Sequence, residues 1–137
     1  MIQFLPMFSF YIVRLAITLN CYGFNLTLEL PNVPYRYDID NYEEGTFHDF
    51  IFEDTTAILV HCGYNVVKPS IEVGLLREVK MEISGHQILR RSGVEKDGLH
   101  YWQEDIYLQH NLSIFIRNAT PESFEKYKIV LDKVKLN

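Results

Sequence analysis

The sequence predicts an all-β fold, an antiparallel β-sandwich. Three observations carry that expectation. Short runs alternate apolar and polar residues with a period of two. Turn-forming residues separate these runs at roughly 8–12-residue spacing. Tyr and Phe occur nine times each among 137 residues, and aromatic residues suit strands. A chain of this length builds one domain with a real core. With 47% apolar residues it is no disordered chain.

The elements follow in order. Residues 1–23 contain no acidic residue and are mostly apolar, which reads as a secretory leader removed after Gly23. The expected plan is therefore a leader over 1–23, an N-terminal strand with an acidic arm over 24–49, and the sandwich over 50–137. Phe24, Leu26, Leu28 and Leu30 alternate with Asn25, Thr27 and Glu29, as in a half-buried strand. Residues 31–49 hold Pro31, Pro34 and many acids and predict an irregular arm. Thr55 and Thr56 lead into Ala57–Cys62, a core strand. A hairpin is predicted around Ser84 and Gly85, with Val79, Met81 and Ile83 on one face and Lys80 and Glu82 on the other. A polar loop over 91–98 precedes a strand over 99–108. Leu112, Ile114 and Ile116 point inward from the next strand, and Ser113, Phe115 and Arg117 outward. The last segment, YKIVLDKVKL, admits a helix started by Thr120, Pro121 and Glu122. The β-branched Ile129 and Val130 favour a strand.

The order of these strands resembles the immunoglobulin superfamily. EDTTAILVHC is similar to the B strand, VKMEISGHQIL to the C–C′ hairpin, and NLSIFIRNATPESFEKYKI to strands E and F. The resemblance covers residues 50–131. It implies an immunoglobulin-like sandwich of V type in which Cys62 and Ile129 occupy the two cysteine positions, Met81 that of the core tryptophan, and Tyr127 that of the tyrosine corner. It also implies a partner-binding face on strands C, C′, F and G, formed by Lys80, Glu82, His86, Gln87, Arg90 and Lys128.

Cysteine usage leaves two options. With the leader removed, Cys62 stands alone as a small buried hydrophobe. With Cys21 retained, a Cys21–Cys62 bridge can form. Asn25, Asn111 and Asn118 each begin an N-x-Ser/Thr glycan acceptor triplet, which agrees with secretion.

Several function classes drop out. No basic block suggests nucleic acid, and the net charge is −5. His48, His61, His86, His100 and His110 fall into no metal or catalytic spacing. Asp38, Asp40, Glu43 and Glu44 lie beside Tyr35, Tyr37 and Tyr42 without the spacing of a calcium loop, so a solvated acidic surface is expected. No glycine-rich phosphate loop is present. After leader removal no segment is apolar over a membrane-spanning length. The expectation is a secreted, glycosylated, non-enzymatic domain without cofactor or metal that binds an extracellular protein or cell-surface receptor. A homodimer would follow if a second chain completed its last strand. The alternative is a carrier of a small apolar ligand, built as a sandwich or barrel.

Overall fold

The computed structural model describes residues 14–63 and 69–137. The first thirteen residues of the expected leader lie outside them. Two antiparallel sheets pack face to face, with one helix completing the smaller layer. The strands are β1 (Arg14–Cys21), β2 (Phe24–Pro31), β3 (Tyr35–Tyr42), β4 (Gly45–Phe52), β5 (Ala57–Gly63), β6 (Leu75–Ile83), β7 (His86–Val94), β8 (Tyr101–Tyr107), β9 (Leu112–Ala119) and β10 (Lys135–Leu136). The helix α1 spans Pro121–Asp132. The small sheet runs β1-β2-β10 and the large one β3-β4-β5-β9-β8-β7-β6.

The large sheet is two meanders, β3-β4-β5 and β6-β7-β8-β9, joined where β5 pairs with β9. Its inner face presents Phe50, Phe52, Ile58, Val60, Cys62, Leu112, Ile114 and Ile116 to Leu26, Leu28 and Leu30 of β2. The three leucines are fully buried. The inward set expected for β9 is therefore observed, because its period of two matches the pleat. Phe115 does point to the opposite face, yet it is buried there with Trp102 and Ile71. Residues 69–74, just before β6, lie across that face. Trp102 Nε1 donates to the Val73 and Val94 carbonyls at 2.8 and 3.1 Å. Glu104, with no exposed surface, accepts from Ser70 N–H at 3.0 Å. Arg91 donates to the Ile71 carbonyl and to Glu78 Oε1, the latter at 2.9 Å. Gly93 lets the connection approach closely: a Cβ there would lie 2.1 Å from the Gly74 oxygen and 2.9 Å from Trp102.

Three local expectations need correction. The irregular arm of residues 31–49 holds β3 and most of β4, a paired hairpin with Tyr37 opposite Phe50 and Ile39 opposite His48. The two prolines fall at its entrance, outside the ladder. Second, the last segment is a helix. Thr120 Oγ1 accepts from the Ser123 N–H at 3.2 Å and Pro121 occupies the first turn. Tyr127, Val130, Leu131 and Val134 are buried together, a spacing that fits one helical face and outweighs the β-branched pair. Tyr127 and Ile129 therefore sit on α1 and not on an F strand. Burial, with Asp54 nearby, pushes the Tyr127 phenol up to about 12. Third, Cys62 is not alone: it is disulfide-bonded to Cys21, which joins β1 of the small sheet to β5 of the large one.

β1 occupies residues that the expected leader includes. Its eight residues pair with β2 from Arg14 opposite Pro31 to Cys21 opposite Phe24. Removal after Gly23 would take this strand and half the disulfide with it. The B–E neighbour relation of the immunoglobulin pattern has a counterpart in the β5–β9 pairing. The segments matched to C and C′, β6 and β7, continue the same sheet. Met81 packs partly buried against the main core.

Candidate recognition surface

The six residues expected to form one partner face are divided between two. Lys80 pairs with Leu89 and Glu82 with Gln87, so Lys80, Glu82 and Gln87 share the outer face of the β6–β7 hairpin. His86 and Arg90 alternate to the inner face, and Lys128 lies on α1. Arg90 and Lys128 meet on the other side, in a cleft of about 280 Å³ whose walls include Val79, Met81 and Phe124. Arg90 is committed there. Its Nε and Nη2 each meet an oxygen of the buried Asp105 at 2.9 Å, and Nη2 also reaches Asp132 at 2.7 Å. This arrangement fastens α1 to the sheet. Burial works against the Arg90 charge, but the two carboxylates outweigh it and raise its pKa further. His86 sits edge-on to His110, 4.8 Å between ring centroids.

The β3–β4 hairpin offers a different surface. Among the described residues β3 is an edge strand, so one side of its backbone has no strand partner there. Tyr37 and Ile39 face the inner side near that edge and are 42% and 49% exposed, while Tyr42 reaches 58%. Tyr37 is held rather than loose. Its ring stacks 5.0 Å from Phe50, and its hydroxyl lies 2.7 Å from His48 Nδ1. Burial lowers the His48 pKa, which keeps the ring neutral.

The outer side of the hairpin is acidic. Asp38 pairs with Asp49, and Asp40 lies two residues on. Burial first, then the charges of Asp40 and Asp38, raises the Asp49 carboxyl. At the hairpin tip Tyr42, Glu43, Glu44, Phe47 and His61 surround an open depression of about 480 Å³. Tyr42 meets Phe47 edge-on at 5.6 Å, and Phe47 stacks on His61 at 3.9 Å. Burial lowers the His61 pKa, partly offset by Glu44. The tip is tight because Gly45 faces Gly63, where a Cβ on Gly45 would lie 2.5 Å from the Cys62 oxygen. Asp38 is paired with Arg36 at 3.0 Å, and aromatic faces beside carboxylates attract cations through the ring quadrupole and through charge.

No protein-family model, characterised protein or solved structure matches this chain. The remaining guidance is chemical. Asn25, Asn111 and Asn118 are all exposed, and none lies on β3 or β4. Cys62 is held in a disulfide and is no nucleophile. Among the described residues no group of three His, Cys, Asp or Glu is placed to hold a metal ion, and no helix is long and apolar enough to cross a membrane. Sequence reading noted the acids and tyrosines of 31–49 without placing them on a sheet edge. Tyr35, Tyr37 and Ile39 alternating with Arg36, Asp38 and Asp40 was the signal that would have found the strand.

Proposed function

We propose that this chain is a secreted, N-glycosylated recognition module without catalytic activity, which binds another extracellular protein through the β3–β4 hairpin. The observation that carries this is the half-exposed apolar set Tyr37, Ile39 and Tyr42, with Tyr37 held by Phe50 and His48, on a strand that is an edge among the described residues and is lined with acids. Rigid aromatics supply contact area at low entropic cost. The carboxylates favour a basic partner segment, and the open edge can accept it as an added strand. The disulfide suits an oxidising compartment. None of the three glycan acceptors lies on β3 or β4. In this reading the likeness to the immunoglobulin superfamily lies in a disulfide-linked sandwich used for protein recognition.

The test is binding of the secreted, glycosylated chain to a panel of extracellular proteins and receptor-bearing cells, alongside a Tyr37→Ser/Tyr42→Ser variant and a Glu43→Lys/Glu44→Lys variant. A specific partner lost by both variants, with unchanged thermal stability, supports the reading. Equal binding by all three proteins overturns the assignment to this hairpin. The carrier alternative has one supporting observation, the Val79–Met81–Phe124 walls of the cleft beside α1. Lipid retained through purification, and lost on Met81→Glu, would favour it instead.

A further inference from the structure

The other end of the large sheet carries a different pattern. β6 is its second edge, nine residues reading LLREVKMEI. Nearly the whole strand is accessible, with Leu75 40% and Leu76 73% exposed. Outer-face charges alternate in sign along it: Glu78, then Lys80, then Glu82.

We propose that β6 pairs with β6 of a second copy of this chain, antiparallel and about a two-fold axis at Val79, so that two large sheets become one continuous sheet. The register follows from charge. In an antiparallel pair, opposed residues share a face, so the two positions sum to an even number. Centring on Val79 places Glu78, which also accepts from Arg91 at 2.9 Å, opposite Lys80 twice and Arg77 opposite Met81, and the regular ladder ends at the bulge between Leu75 and Arg77. Centring on Glu78 or on Lys80 opposes like charges at the axis, which destabilises. Centring on Met81 keeps the Lys80–Glu82 pairs but leaves Leu75 and Leu76 unmatched and shortens the ladder. The Val79 register opposes unlike charges twice on the exposed part of the strand, whereas centring on Met81 draws the pair toward the buried Ile83.

The partner is a second copy, because the complementarity is internal to one strand. The β3 edge shares it less: centring there on Ile39 opposes Asp38 to Asp40, and centring on Tyr37 opposes Asp38 to an Arg36 that already pairs with it within the strand at 3.0 Å. A two-fold axis perpendicular to the sheet keeps both helices on one face, with the two clefts beside α1 opening toward each other. The outer β3 edges would remain free at the two ends of the joined sheet.

Sedimentation equilibrium of the full chain across micromolar to submillimolar concentration tests this, with Lys80→Glu, Lys80→Arg and Val79→Cys variants. The wild type and Lys80→Arg should dimerise alike. Lys80→Glu opposes Glu78 to a new carboxylate at two symmetry-related positions and should weaken the dimer roughly tenfold or more. Val79→Cys should yield a disulfide-linked dimer under mild oxidation, since residues at the axis face each other. A wild-type monomer throughout, a dimer indifferent to Lys80→Glu, or one without cross-linking at Val79 overturns the proposal. Partner binding at β3 is read separately, so either result stands apart from the functional reading above.

Discussion

Replacing both half-cystines, Cys21→Ala with Cys62→Ala, should lower stability mainly through the unfolded chain. The bridge closes a loop with a sequence separation of 41 residues and joins the two sheets at a Cα–Cα distance of 5.8 Å. Loop-closure entropy for that length corresponds to about 4 kcal/mol. For a domain of this size roughly 3–4 °C of Tm accompany each kcal/mol, so the double variant should melt about 10–15 °C lower. Circular dichroism melts under non-oxidising buffer conditions give the comparison, and intact mass with and without thiol alkylation verifies the bridge in the starting protein. A folded wild type that alkylates at two thiols, or a double variant melting within about 3 °C of it, would refute the reasoning. The same mass measurement fixes the mature N-terminus. A secreted product that keeps the bridge must begin before Cys21, and one that keeps all of β1 must begin at or before Arg14.

Three other perturbations have defined outcomes. Thr120→Ala removes the N-cap oxygen that accepts from Ser123 and should cost about 1 kcal/mol in urea unfolding, together with any glycan at Asn118, while Thr120→Ser keeps both. Arg90→Ala leaves the fully buried Asp105 carboxyl without its guanidinium and should destabilise by about 3–5 kcal/mol, a loss that Asp105→Asn in the same chain partly relieves. Glu95 is the pH probe: burial alone would raise its carboxyl, but hydrogen bonds from Arg117 and the Asn118 N–H outweigh it and the net shift is downward. A carboxylate with a lowered folded pKa stabilises above its unfolded value and loses that contribution as pH falls through the folded one. The stability gap between wild type and Glu95→Gln should therefore be full at neutral pH and close below the ordinary glutamate range. A gap that widens on acidification would contradict this.

Periodicity told which short runs were strands where apolar and polar residues alternate, as in Phe24–Leu30, and a short apolar run did so for Ala57–Cys62. It also told which side of each strand faces the core. It failed where a local signal competed with it. Prolines at the entrance of β3 hid the alternation of Tyr35, Tyr37 and Ile39. Two β-branched residues hid the buried helical set Tyr127, Val130 and Leu131. An apolar N-terminus read as a leader hid the alternation of Leu15, Ile17, Leu19 and Cys21, of which the last two are buried.

The candidate site was less legible than the fold. Its acids and tyrosines stood out in the sequence, but a strand edge exists only once neighbours are assigned, and neighbour assignment is non-local. The six residues first grouped as one face divide because pleat alternation sends Lys80, Glu82 and Gln87 to one side and His86 and Arg90 to the other. By itself the sequence determined an all-β class, most strand positions and many of the core-facing residues. Each of these depends on residues within a few positions of one another. Tertiary structure decided that β5 lies beside β9, that Cys62 meets Cys21, that Arg90 is spent on Asp105 and Asp132, and that β3 and β6 are left as edges. Those outcomes depend on which apolar faces cover each other, a choice made by the whole chain at once because burial has no preferred direction along the sequence.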